Sequence, residues 1–93
     1  DVGSSFYFYR EQAKFRAGDM EGALADIKEA VRLSPDVPDY RAEEASVYVR
    51  MKNYTDALAS IEETLKVAPD FAACYRLKGV MYVWKRKRKP VKR

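Results

Sequence analysis

The side chains that most often carry out chemistry are nearly absent from this chain of 93 residues. It has no histidine and one cysteine, Cys74, which excludes the commonest general base, an internal disulfide and a cluster of cysteine ligands. The acidic pairs Glu43-Glu44 and Glu62-Glu63 fall where solvated helix faces are expected, and there is no glycine-rich phosphate loop. Cys74 lacks an activating neighbour and is predicted to fill a semi-buried position. We therefore expect no enzymatic activity, no metal site and no cofactor.

The strongest local signal is a basic run at the C-terminal end. Residues 1–84 carry 11 basic and 14 acidic side chains, a net charge of −3, whereas residues 85–93 carry seven basic and no acidic ones. So dense a positive charge gains free energy from contact with a polyanion, so nucleic acid, an anionic membrane surface and a nuclear-import receptor are candidate partners. A solvated helix end or linker is the alternative. The predicted polyanion-binding residues are Lys85, Arg86, Lys87, Arg88, Lys89, Lys92 and Arg93.

The composition is that of a small globular domain. Hydrophobic residues make up 47% of the chain, with 4 glycines and 4 prolines, which excludes a collagen-like or disordered protein. No apolar run is long enough for a membrane-spanning helix, and the N-terminus lacks the pattern of a secretory signal. We expect a cytoplasmic protein, with nuclear or exported locations as alternatives.

The elements that position these side chains follow from an internal repeat of 34 residues. Aligning residues 4–37 with residues 38–71 gives eight identities. A partial third copy begins near residue 72, where Gly79 and Tyr82 repeat the spacing of Ala45 and Tyr48. A period of this length predicts stacked structural repeats. The identical pairs are Arg16/Arg50, Ala23/Ala57, Leu24/Leu58, Ala25/Ala59, Ile27/Ile61, Glu29/Glu63, Pro35/Pro69 and Asp36/Asp70.

Each full copy is predicted to form two helices. Apolar residues recur every three or four positions in the second half of each copy, which indicates one buried helical face. Asp19 and Asn53 stand where a helix N-cap is needed, and Pro35 and Pro69 end the same helices. The second helices are predicted at 20–33 and 54–67, the first helices at about 5–17 and 38–51, and a fifth helix at about 71–87.

The pattern resembles the tetratricopeptide repeat, a helix-turn-helix unit of 34 residues. The resemblance implies an all-α, right-handed α–α superhelix with two full repeats and a C-terminal capping helix, about five antiparallel helices in all. The implied divisions are a repeat domain over 1–88 (repeats at about 4–37 and 38–71, capping helix at about 72–88) and a basic tail over 89–93. The matching residues are Tyr7, Gly18, Asp19, Ala23, Ile27, Ala30 and Pro35 in the first copy, Ala45, Tyr48, Asn53, Tyr54, Ala57, Ile61 and Pro69 in the second, and Tyr75, Gly79 and Tyr82 in the third.

Two residues of the first helix depart from the family pattern. Glu11 and Lys14 occupy the positions at which the family has a small residue and a tyrosine. In the second copy, Arg41 replaces the large aromatic residue and Thr64 replaces the second alanine. The packing of the first helix is therefore the part of the fold that the resemblance defines least.

The resemblance also implies a function, that of a non-catalytic scaffold binding a peptide or a partner subunit on its concave face. Three arginines suited to carboxylates and several apolar side chains favour an extended peptide with an acidic group and an apolar anchor. Ordinary burial or surface ion pairing of the same residues is the alternative. The groove residues implied by the resemblance are Phe8, Tyr9, Gln12, Arg16, Glu43, Ser46, Arg50, Arg76 and Val80.

One family ligand is not expected. Co-chaperone members bind the acidic tails of heat-shock chaperones through a clamp of Lys, Asn, Asn, Lys and Arg. The corresponding residues are Phe8, Gln12, Glu43, Ala73 and Leu77, so the clamp is missing and Glu43 would repel such a tail.

Overall fold

The computed structural model of the chain describes residues 2–88. Within this range five α-helices follow one another and no strand occurs, as predicted. Because the connections are short, successive helices run antiparallel. The body they form is elongated, with extents of 55 × 29 × 17 Å. The helices are α1 (Val2–Ala17), α2 (Met20–Leu33), α3 (Pro38–Arg50), α4 (Tyr54–Val67) and α5 (Ala72–Arg88).

Helices α2 and α4 begin and end at the residues predicted from the sequence. The Asp19 carboxylate accepts a hydrogen bond from the Gly22 N–H at 3.0 Å, and the Asn53 side-chain oxygen accepts one from the Asp56 N–H at 3.4 Å. Each side chain therefore satisfies a donor that the first helical turn leaves free. The residue before each proline is the C-cap, because proline disfavours helical geometry in its predecessor.

The turns inside the two repeats use left-handed backbone at equivalent positions. Gly18 has φ of 87° and Lys52, 34 residues later, has φ of 64°. Glycine adopts this conformation without steric cost, whereas a residue with a Cβ is strained there by about 1 kcal/mol. The second repeat therefore keeps the backbone geometry of the first while lacking its glycine.

The core repeats with the same period. Ala23 and Ile27 of α2 and their equivalents Ala57 and Ile61 of α4 are all fully buried. They belong to two clusters, one per repeat, and α3 contributes to both, for example through Val47 in the first cluster. Helix α3 is thus the element that joins the two repeats into one core.

Helix α5 covers the second cluster with one face. Cys74 and Met81 are buried against α3 and α4. Cys74 is more deeply buried than predicted, and burial raises the pKa of its thiol, which opposes a nucleophilic role. On other faces of α5, several large apolar side chains are exposed, and a Cβ added at Gly79 would meet no atom within 4 Å.

Consecutive helices are also linked by polar contacts. Arg10 of α1 binds Asp26 of α2, and Lys28 of α2 binds Glu44 of α3. Glu44 in turn accepts a hydrogen bond from the Ser60 hydroxyl of α4 at 3.3 Å. The two residues in each contact are 16 positions apart, so contacts of the same spacing join each helix to the next from α1 to α4.

Candidate functional site

The first helix of each repeat and the start of α5 line a shared cleft, which we call the groove pocket. Its volume is about 260 Å³. Its aromatic surface comes from Phe8 and Phe71, and its charged groups come from α3 and α5. The lining residues are Phe8, Gln12, Asp39, Ala42, Glu43, Ser46, Phe71, Ala73 and Arg76.

Five of the groove residues implied by the resemblance lie in this pocket. Phe8 and Gln12 come from α1, Glu43 and Ser46 from α3, and Arg76 from α5. They converge because first-helix positions one repeat apart stack beside each other in a helical array. The pocket is therefore a feature of three helices together.

The other four of those residues lie outside the groove pocket. Tyr9 and Val80 are exposed, and so are Arg16 and Arg50. The Arg50 guanidinium lies over the ring of Phe15, 4.9 Å from its centroid, in a cation–π contact. The three arginines singled out in the sequence are thus distributed along the molecule, and only Arg76 lines the pocket.

Two lining residues, Asp39 and Phe71, were not identified from the sequence. Asp39 lies in the first turn of α3, and Phe71 immediately precedes α5. Both stand at the boundary of a repeat, where the family pattern specifies no groove residue. Asp39 gives the pocket a second carboxylate besides that of Glu43.

Behind the pocket lies Glu11, a carboxyl group buried inside the protein. Its exposed fraction is 0%, and within residues 2–88 neither of its side-chain oxygens accepts a hydrogen bond. Burial, followed by a side-chain hydrogen bond that the protonated carboxyl donates to Glu43, raises the pKa of Glu11 from 4.5 to about 9. Glu11 is therefore uncharged at neutral pH.

The negative charge of Asp26 of α2, which acts on Glu11, is balanced by cations of the same chain. Its carboxylate binds the Arg10 guanidinium at 2.8 and 2.9 Å and the Lys14 ammonium at 3.1 Å. The hydrogen bonds from Arg10, and then that from Lys14, hold the pKa of Asp26 below its usual value. Arg10 and Lys14 of α1 are thus both engaged by Asp26.

A second cleft, of about 240 Å³, lies among α2, α3 and α4. Of its carboxylates, Glu44 binds Lys28 and Ser60, and Glu63 binds Lys66. Asp56 accepts a hydrogen bond from the Asn53 side chain. Because these acidic groups already have partners within the chain, the groove pocket is the better candidate for ligand binding.

The basic run falls at the end of α5. Residues 85–88 complete the helix, and residues 89–93, including Lys89, Lys92 and Arg93, lie outside the described range. The exposed Arg86 lies over the Tyr82 ring at 5.9 Å. Across residues 2–88 the structure contains no cluster of acidic, cysteine or histidine ligands suited to a metal ion, and no helix that could cross a membrane.

Two comparisons identify the architecture. The chain is similar in fold to MamA, whose crystal structure matches it with a TM-score of 0.83 at 23% sequence identity. The match covers 91% of this chain and 50% of the MamA chain, so the protein spans half the length of that relative. This structural similarity agrees with the predicted α–α superhelix. A sequence model of the tetratricopeptide repeat matches residues 14–80, which is most of the chain. The protein therefore belongs to the tetratricopeptide repeat family.

Proposed function

We propose that this protein is a non-catalytic interaction module that binds an extended peptide, or a segment of a partner subunit, in its groove pocket. Tetratricopeptide repeats generally act as protein-interaction scaffolds, which supports the coarse assignment. The main observation in support of peptide binding is that residues of α1, α3 and α5 line a single cleft.

The size and lining of the pocket favour a side chain of a larger ligand. Its volume of about 260 Å³ is below the roughly 300–1,000 Å³ typical of sites that enclose a whole small molecule. Phe8 and Phe71 offer apolar contact, while Gln12 and Ser46 offer hydrogen-bonding groups beside them. Such a combination of an apolar anchor site and polar neighbours is common where proteins recognise peptides.

The test uses a phage-displayed library of random peptides, about twelve residues long, selected on the full chain. A Ser46→Tyr variant fills the pocket with an uncharged side chain, and Thr55→Tyr places the same side chain at an exposed position of α4 outside it. We expect selected peptides to lose binding to Ser46→Tyr and to retain it with Thr55→Tyr. Equal binding to both variants, each checked for helix content by circular dichroism, would refute the groove as the binding site.

A second proposal concerns the basic run at 85–93, which has seven positive side chains. It would bind nucleic acid or an anionic surface mainly through phosphate groups, and it also suits a nuclear-import receptor. The cytoplasmic location expected from the sequence stays a prediction.

Salt dependence tests the second proposal. Replacing Lys89, Lys92 and Arg93 with glutamine should weaken binding to duplex DNA and lower the slope of log K against log salt by up to about three. Lys78→Gln, an exposed charge elsewhere on α5, is the control. Unchanged slopes, on DNA and in a parallel assay with anionic vesicles, would contradict a polyanion-binding tail.

A further inference from the structure

The charged groups of the groove pocket are unbalanced. Asp39 and Glu43 of α3 contribute two carboxylates, and Arg76 of α5 contributes one guanidinium. Within residues 2–88, the ion pairs of the structure involve none of these three residues. The pocket therefore offers an uncompensated acidic surface to a ligand.

Glu11, which is uncharged at neutral pH, adjoins this acidic surface through Glu43. It is fully buried, neither oxygen accepts a hydrogen bond in the described part of the chain, and its acidic neighbours are Glu43 and Asp26. Of the nearby cations, Arg10 and Lys14 are held by Asp26. A cation brought by a ligand would therefore meet Glu43 and Asp39 without displacing any ion pair of the described residues.

We propose that the groove pocket binds a lysine or arginine side chain of an extended peptide, with the cation on Glu43 and Asp39 and an adjacent apolar residue against Phe8 and Phe71. The inference rests on the proposed peptide-binding function and specifies the ligand's charge. The argument for a basic ligand is charge complementarity, because a carboxylate of the ligand placed beside Glu43 and Asp39 would be repelled by both. The acidic ligand expected from the sequence relied on Arg16, Arg50 and Arg76, of which only Arg76 lines the pocket.

Proton release is a consequence of this arrangement. Burial and the side-chain hydrogen bond with Glu43 raise the pKa of Glu11 to about 9, so at neutral pH Glu11 holds a proton. The charged groups that act on Glu11 are Glu43 of α3 and Asp26 of α2. Arg10 and Lys14 of α1 bind Asp26, and Arg76 of α5 lines the pocket together with Glu43. A ligand cation favours ionisation of Glu11, so binding should release a proton and tighten as the pH rises from neutrality toward 9.

The peptides selected on the full chain provide the test. Those that lose binding to Ser46→Tyr should be enriched in lysine or arginine next to an apolar residue. Isothermal titration calorimetry should show that Glu43→Gln weakens them by at least about tenfold, with a smaller loss for Asp39→Asn. Glu62→Gln, at an exposed position of α4, is the matched control and should bind as the parent does.

Calorimetry in buffers of different ionisation enthalpy measures the released proton. The parent should release a fraction of one proton at neutral pH, and Glu11→Gln should bind the same peptide with almost no release. Groove-dependent peptides that are acidic or uncharged, or that bind Glu43→Gln as tightly as the parent, would overturn the inference while leaving the proposed function intact. Selection of no groove-dependent peptide would overturn the proposed function, and this inference with it.

Discussion

Replacing Glu11 with glutamine should stabilise the protein at neutral pH. The pKa of Glu11 is about 9 in the folded chain and 4.5 in its ordinary state, so between these values the folded protein holds a proton that the unfolded chain has released. The ionisation of Glu11 therefore lowers the free energy of unfolding as the pH rises from 4.5 to about 9. Well below pH 4.5 it has no effect, because Glu11 is protonated in both states. Glutamine has nearly the same shape and no ionisation, so it removes this dependence.

The size of the effect follows from the shift in the pKa. Neutral pH lies about 2.5 units above the ordinary value, and each unit corresponds to about 1.4 kcal/mol. Allowing for partial relaxation around the carboxyl group, we expect Glu11→Gln to raise the free energy of unfolding by about 2 to 3 kcal/mol at about pH 7. Below about pH 4 the two proteins should differ by less than about 0.5 kcal/mol.

Urea unfolding followed by circular dichroism at the two pH values measures this difference. Glu62→Gln, an exposed carboxyl of α4, serves as the control and should change stability by no more than about 0.5 kcal/mol at either pH. If the stability profiles of the parent and Glu11→Gln run parallel with pH, Glu11 ionises normally and the reasoning about its burial is refuted.

Three further substitutions test other parts of the structure by urea unfolding. Lys52→Gly should raise the free energy of unfolding by about 1 kcal/mol, because φ is 64° there; a decrease would contradict the strain. Gly79→Ala should raise it by about 0.5–1 kcal/mol, since the added Cβ meets no atom within 4 Å; a loss would mean that the site is packed. Asp26→Asn should lower it by about 1–2 kcal/mol at neutral pH. That gap should close as the pH falls below 3.8, because the hydrogen bonds from Arg10 lower the pKa of Asp26; a gap independent of pH would contradict their role.

The fold could be predicted because its signals are local and repeat every 34 residues. The caps Asp19 and Asn53, the prolines that follow each second helix and the alternation of buried positions each act within a few residues. Stacking of equivalent first-helix positions also predicts that Phe8 and Glu43 lie on one face, and both line the groove pocket.

The chemistry of the groove pocket depends on contacts that no local pattern contains. In the sequence, Glu11 is only a departure from the small residue of the family pattern, and its complete burial results from the packing of α1 against other helices. Asp39 lines the pocket from the first turn of α3, and Phe71 lines it from the residue before α5. Similarly, Arg50 turns toward Phe15, a choice of rotamer that spacing alone does not determine.

The polar contacts between consecutive helices bear on how the molecule responds to tension. Arg10–Asp26, Lys28–Glu44 and Ser60–Glu44 each tie one helix to the next along the chain. A force applied at the two termini would act on these contacts one after another along the chain, so that one contact breaks while the next remains intact. Under tension the protein should extend in small steps as one helix after another separates. A domain whose terminal strands pair with each other would instead resist until those strands separate.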